Sequence, residues 1–316
     1  MAAERYLVTG AGGCIGAWVV RTLVRDGATV VGLDLDPEPR RLREIATADE
    51  VGRATIVPGD VSSAADIGRI LDEHAITRVI HLAALQVPFC RADPIRGALV
   101  NVVGTVVLFE AVKERLDRIP GLVYASTAAV FGPDDEVVAT TDETARGAWP
   151  STHYGVYKQA NEGNARVYWQ DHGVPSLGLR PYTVYGPARD QGITSAPTVA
   201  TAAAVRGEPY HVPWGGPCTW NYTEDVARVL VRACEALPEG AAVYNVPGPV
   251  AHVRELVDLL EAEVPGAREL ITWDDVPLPL PPALAEGGLE RALGPLPIRG
   301  LAEAVRETVA HFRAAG

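Results

Sequence analysis

Three residue types are nearly missing from this chain. Its 316 residues include two lysines, one methionine and four phenylalanines, so arginine carries most of the positive charge. We read that bias as a genomic codon effect and draw no function from it. Net positive charge is absent as well. The formal charge is −12 and the pI is near 5.1, which argues against nucleic acid or an anionic membrane as a main partner. No segment reads as a signal peptide, because the first strand begins almost at Met1, and no apolar stretch reads as long enough to span a bilayer. Cysteine is sparse: Cys14, Cys90, Cys218 and Cys234 stand far apart without metal-ligand pairs. They read as buried thiols in a reducing cytoplasm, and neither a disulfide nor a metal site is expected. A soluble, cytoplasmic α/β protein with a sizeable core is the expectation.

Against that scarcity of lysine one pair stands out. Lys158 follows Tyr154 by four positions, which on a helix puts both side chains on one face about one turn apart. Random placement of the chain's tyrosines and lysines gives only ~0.06 such pairs. An ammonium beside a phenol lowers its pKa from the reference value of about 10 and makes it a plausible proton acceptor near neutrality.

At the N-terminus, Arg5–Thr9 is a short β-favouring run followed at once by Gly10, Gly13 and Gly16, and then by a helix-like apolar pattern over 17–25. Gly27 suits a left-handed cap, and 28–33 reads as a second strand. Strand, glycine-rich turn, helix and strand make a dinucleotide-binding unit, in which glycines let the backbone approach the pyrophosphate at the helix N-terminus. Asp34 closes the second strand, where a carboxylate accepts hydrogen bonds from ribose hydroxyls and repels a 2′-phosphate. Arg40 and Arg41 could receive such a phosphate, but solvated charges after the Pro37/Pro39 turn are the commoner outcome, and Asp36 adds negative charge. NAD is the expected cofactor.

Further strands are expected at 54–58, 78–84, 121–127, 174–179 and 242–246. Helices are expected near 64–74, 94–115 and 152–172. Repeated β-α-β order predicts a Rossmann-type, doubly wound parallel sheet. Residues 1–186 read as the dinucleotide-binding domain, with 218–248 returning to it. The proline- and glycine-rich segments 187–217 and 249–316 read as a smaller C-terminal substrate-binding lobe over the sheet's carboxyl edge.

With these motifs in order, the chain resembles the extended short-chain dehydrogenase/reductase family, which holds sugar-nucleotide epimerases and dehydratases. The resemblance rests on Thr9–Gly16, Asp34, Gly59-Asp60-Val61, His81-Leu82-Ala83-Ala84, Asn101, Ser126–Gly132, Tyr154-Gly155-Val156-Tyr157-Lys158 and Arg180–Pro187. It implies an NAD site built from Gly10, Gly13, Cys14, Ile15, Gly16, Asp34, Asp60, Val61, Leu82, Ala83, Ala84, Asn101, Tyr154, Lys158, Pro181 and Thr183. It also implies hydride transfer with Tyr154 as acid/base, Lys158 on the nicotinamide ribose and Thr127 on the reacting oxygen. Tyr157 reads as packing. Members of this family pair two long helices across a two-fold axis, so a homodimer is expected, with Ala98, Val102, Val106, Ala160 and Val167 at its interface.

Two departures bear on substrate. Thr183 stands where the family often has Asn, and Cys218 stands where many members carry an arginine that clamps the substrate diphosphate. Without that clamp a nucleotide sugar loses charge-assisted bonds. Arg189, in the segment 189–195, could replace it or present itself to a smaller carboxylate. The loop 86–91 is a second candidate wall, with Gln86 polar and Phe89 apolar. For Arg91 and Arg189 a solvated arginine fits equally. Ala128 is a further substrate candidate, as are Trp214 and Trp220 for sugar stacking, although core packing is a tryptophan's commoner fate. The preferred reading is a dehydrogenase of a small sugar, sugar acid or polyol. The alternative is a nucleotide-sugar 4-epimerase with tightly bound NAD. A non-catalytic NAD sensor fits poorly with Thr127, Tyr154 and Lys158 all present.

Overall fold

Along each short apolar run, alternate residues go to opposite faces of one sheet. Tyr6 and Val8 enter one core and Leu7 the other; Val123 and its neighbours Leu122 and Tyr124 divide in the same way. The computed structural model describes residues 4–133 and 148–315. Its strands are β1 (Arg5–Thr9), β2 (Thr29–Asp34), β3 (Thr55–Pro58), β4 (Arg78–His81), β5 (Leu122–Ala125), β6 (Ser176–Arg180), β7 (Thr183–Tyr185), β8 (Tyr210–Val212), β9 (Pro217–Tyr222), β10 (Ala241–Asn245), β11 (Val250–His252) and β12 (Ile271–Trp273). Seven of them form a parallel sheet in the order β10-β6-β5-β4-β1-β2-β3. The order reverses between β1 and β4, which is where an open α/β sheet offers a crevice at its carboxyl ends.

Helices cover both faces. Cys14–Arg25 and Thr223–Glu235 pack together on one, and Ala64–Glu73, Gly104–Lys113 and His153–His172 on the other. Gly27, at φ 79°, ends the first of these helices. The stretch expected as one helix over 94–115 is interrupted by a π turn at Leu99–Val103. Pro94–Lys113 is also long and apolar enough to cross a membrane by length and composition, contrary to the expectation from sequence. In the fold it is a face helix, and Leu108, Phe109 and Val112 sit in the core.

A second core, around Tyr185, Trp214, Trp220 and Leu256, belongs to the lobe. Its main sheet is β11-β9-β7, in which β9 pairs with both β7 and β11. The helix that follows β9, Thr223–Glu235, packs against Cys14–Arg25, and β10 pairs with β6 at the edge of the seven-stranded sheet. Leu289 and Leu293, expected in the lobe, pack in the core beneath the Cys14–Arg25 and Thr223–Glu235 helices. The loop expected at 86–91 is a short helix, Val87–Ala92, with proline in its first turn.

Candidate active site

A cavity of about 420 Å³ runs along the carboxyl ends of β3, β2, β1, β4 and β5. Gly10, Gly13, Cys14, Ile15, Gly16, Asp34, Asp60, Val61, Leu82, Ala83, Ala84 and Pro181 line it, as do Thr127, Tyr154, Lys158, Gln86, Ala128 and Arg189. Strand order places Asp60 and Asp34 at one end and Thr127 at the other.

The glycine turn fits a dinucleotide for steric and electrostatic reasons. Gly10 has φ 72°, and a methyl group there would lie 2.7 Å from Ala83 N; one on Gly16 would lie 2.0 Å from the Gly10 carbonyl oxygen. The helix that follows starts at Gly13 with no side-chain cap and no acidic residue in its first turn, which leaves its N-terminal field for phosphate. Asp34 accepts hydrogen bonds from Gly12 N at 2.9 Å and Leu35 N at 2.8 Å, so its carboxylate is held beside the turn. Arg40 is exposed, as the sequence reading expects, whereas Arg41 is largely buried. Both donate to Asp190, at 2.6 and 2.8 Å, and Arg41 also reaches the Gly12 carbonyl at 2.7 Å.

At the other end the His153–His172 helix is capped by Thr152, whose hydroxyl accepts from Gly155 N at 3.0 Å. Gly155 presses against the 128–130 turn, since a methyl there would sit 2.1 Å from Ala129 O. That approach brings Tyr154 beside Thr127, and both line the cavity. One turn along, Lys158 Nζ lies 5.8 Å from the centre of the Tyr154 ring and donates to Ala125 O at 2.7 Å. Burial lowers the Lys158 pKa to about 8. Burial also raises the Tyr154 pKa, against the nearby Thr127 hydroxyl and the Arg189 charge, which lower it. The lowering expected from Lys158 is not found: desolvation of the phenolate dominates, and the cationic charge acting on Tyr154 is that of Arg189. Behind the pair, His81 is bonded between Thr9 and Thr105, and its pKa is lowered by burial to about 3, so it stays neutral. Ser126 and Arg180 both bind Glu162, at 2.5 to 2.8 Å, and brace the ends of β5 and β6.

Four expected site residues lie off the cavity. Asn101, in the π turn, brackets the backbone of Leu85, accepting from its N–H at 2.7 Å and donating to its carbonyl at 2.9 Å. An amide side chain supplies both partners at once, so Asn101 shapes the wall without facing the cavity. Thr183 is fully buried with its hydroxyl donating to Cys218 Sγ at 3.4 Å, while its neighbours Tyr182 and Val184 line the cavity. Phe89 is half exposed and does not line the cavity. Trp220 is buried in the lobe core, donating to Ala251 O at 2.9 Å and packed on Tyr185 and Trp214. All four cysteines are buried free thiols.

Several lining residues escaped sequence reasoning, among them Arg96, Tyr182, Thr194 and the wall Leu278-Pro279-Leu280. Period-two alternation through β7 would have found Tyr182 and Val184. No local signal marks the leucine wall.

A parallel sheet with a glycine turn at its switch point, an aspartate at the end of β2 and a Tyr–Lys pair at the far end defines a Rossmann-type dinucleotide-binding protein. The chain belongs to the NAD dependent epimerase/dehydratase family, whose model matches residues 6–246. It is 31% identical over 325 residues to a UDP-glucose 4-epimerase of Mycolicibacterium smegmatis, covering 98% of each chain. It is 35% identical over 187 residues to UDP-glucuronate 4-epimerase 5 of Arabidopsis thaliana, a match covering 57% of this chain and 42% of that one. The chain thus spans less than half the length of that curated relative. A solved Thermus thermophilus UDP-glucose 4-epimerase, in complex with NAD, superposes with a TM-score of 0.78 at 26% identity, over 99% of this chain and 100% of the other.

Proposed function

We propose that this chain is an NAD-dependent oxidoreductase that moves hydride to or from a secondary alcohol of a small sugar, sugar acid or polyol. The observation that carries the reading is that Thr127, Tyr154 and Lys158 line the same end of the cavity, with Lys158 one helical turn from Tyr154. Bound NAD supplies the hydride acceptor. Gly10 to Gly16 and Asp34 hold its adenosine diphosphate half, and Lys158 orients its other ribose. Thr127 fixes the substrate hydroxyl, and Tyr154, as the phenolate that the Lys158 ammonium stabilises, takes its proton and becomes the neutral phenol. The small-substrate part is supported by Cys218, which is buried in the lobe core and offers no cation to a diphosphate.

A second reading, a nucleotide-sugar 4-epimerase that keeps its NAD through each turnover, is favoured by the M. smegmatis relative and its near-complete overlap. Mass spectrometry and absorbance of the purified protein, native and then denatured, separate the two. Reversible NAD⁺ binding with NADH formation from a free sugar, acid or polyol supports the first. Stoichiometric NAD that survives gel filtration, with interconversion of a UDP-sugar and no NADH release, replaces it with the second.

We also propose a homodimer through the outward faces of the 94–113 and 153–172 helices. Ile95, Leu99, Val103, Val156 and Val167 form an exposed apolar stripe there. Of the residues expected at this interface, Ala160 is exposed while Ala98 and Val102 are half-buried, and the outward row on the first helix runs 95-99-103.

A further inference from the structure

Although the chain carries a net charge of −12, the cavity is not uniformly acidic. Among the described residues its lining carboxylates are Asp34 and Asp60, both at the adenosine end, while Arg91, Arg96 and Arg189 line the part beyond β4. Three lining side chains also bear buried polar atoms without a hydrogen-bond partner: Gln86 Oε1, Tyr182 Oη and Arg189 Nε. A buried polar atom left unpaired costs on the order of 1–3 kcal/mol, so three around one cavity mark a place where a polar ligand completes the bonding.

Two of the three are held together. A methyl on Gly192 would lie 2.2 Å from Gln86 Oε1 and 3.4 Å from Arg189 Nη2, so only glycine, here at φ 92°, lets both side chains pass. Thr194 accepts from Arg189 Nη2 at 3.0 Å, which fixes the guanidinium and leaves its Nε–H free. Arg189 is also near enough to the Tyr154 hydroxyl to influence its ionisation. Its charge therefore acts on the Tyr154 end of the cavity that both residues line. In a nucleotide sugar the diphosphate is on the anomeric carbon, across the sugar ring from carbon 4.

Resting on the dehydrogenase reading above, we propose that the substrate is a hydroxycarboxylate, with Arg189 receiving its carboxylate close to the reacting carbinol and Gln86 and Tyr182 bonding its neighbouring hydroxyl groups. In the oxidation the carbinol C–H bond breaks with its electron pair going to NAD⁺, which becomes NADH. The O–H proton passes to Tyr154 and the carbon–oxygen double bond forms. The carboxylate is unchanged and serves as the handle.

The test is a matched panel with the NAD-loaded protein: glycerate, threonate, gluconate and glucuronate against glycerol, threitol, sorbitol and glucose, with UDP-glucose alongside. NADH formation is read first, and calorimetric binding to the NADH-bound protein second. We expect at least one acid to exceed its neutral counterpart about tenfold or more in kcat/KM or affinity, the scale of a lost charged hydrogen bond. Arg189→Met should abolish that preference through KM, and Arg189→Lys should restore part of it. No acid preference in either readout overturns the proposal, as does an Arg189→Met variant that weakens acids and neutral compounds equally. UDP-glucose interconversion without NADH from any compound instead overturns the dehydrogenase reading. Acid binding is read independently, so the two failures are distinguishable.

Discussion

Arg41 and Asp190, 149 positions apart in sequence, meet in a 2.8 Å hydrogen bond, and the same arginine holds the Gly12 carbonyl of the glycine turn at 2.7 Å. The arginine side chain is largely buried, and Arg40 binds the other oxygen of the carboxylate. Asp190 therefore ties the loop carrying Arg189 to the elements that surround the cofactor's adenosine end. It also occupies two guanidiniums that could otherwise reach a 2′-phosphate.

Asp190→Asn is expected to weaken NAD binding and to narrow the preference for NAD over NADP, each by about three- to tenfold, the range of a partly exposed ion pair. The stability cost should stay below about 1 kcal/mol because the aspartate is more than a third exposed. Fluorescence titration with both nucleotides measures the ratio, and an unchanged ratio would show that Asp34 alone sets the preference.

Tyr154→Phe should lower turnover by about 10²- to 10⁴-fold while NAD affinity stays within about twofold, since the variant removes one proton acceptor and no phosphate contact. The pH profile carries further information. Arg189 is one of the groups that lower the Tyr154 pKa, so removing its charge should move the alkaline rise of kcat/KM to higher pH. A rise that stays in place, or moves to lower pH, would mean the phenol is not the titrating group.

Lys158 allows a sign to be worked out in stability. Burial holds its folded pKa near 8, below the ordinary 10.5, so the folded protein binds fewer protons than the unfolded chain between those values. The buried ammonium costs stability at pH 7, and the cost fades as pH rises from about 8 towards 10.5. Relative to Lys158→Met, wild type should therefore gain on the order of 2 kcal/mol between pH 7 and 10. Urea melts across that range measure it. A constant difference would place Lys158 in contact with water.

The parts of this molecule that were legible from sequence share one property: their cause is local. β1 has the bounds read from its apolar run, and Gly27 ends its helix, because strand alternation and a left-handed cap depend on neighbouring residues. Thr47 and Glu50 form a capping box that starts the helix Ala48–Arg53, a local signal that was present and passed over. Asn101 is different. Its role is set by the backbone of Leu85, and that contact accompanies a π turn no periodicity announces. Likewise Tyr154 and Lys158 were found by spacing, whereas the partners of Asp190 and the wall at Leu278–Leu280 depend on how distant segments meet.

Gly16 is the position where backbone geometry leaves the least room. A methyl there would fall 2.0 Å from the Gly10 carbonyl oxygen and 2.9 Å from Ala11 Cα, both backbone atoms that cannot rotate away. Gly16→Ala should cost on the order of 1–3 kcal/mol and weaken NAD binding severely, because the turn must open to admit the methyl. Gly163→Ala, on an open helix face with nothing within 4 Å, serves as the control and should leave NAD affinity unchanged. Equal NAD affinity in the two variants would show that the turn does not need its tight form to bind the nucleotide.

Leu99 and Val103 lie one turn apart, both exposed, on the outer face of the 94–113 helix, in line with Ile95, which is 77% exposed. Three aliphatic side chains in one row facing water are a poor surface for a monomer, and the neighbouring helix adds Val156 and Val167. The flat, open position at Gly163 would let a second backbone approach closely. Light scattering should give about twice the 33.6 kDa chain mass, and Leu99→Asp with Val103→Asp should return it to one chain without changing NAD affinity. A wild-type protein at a single chain mass at micromolar concentration would remove the dimer and leave the stripe to be explained by another partner.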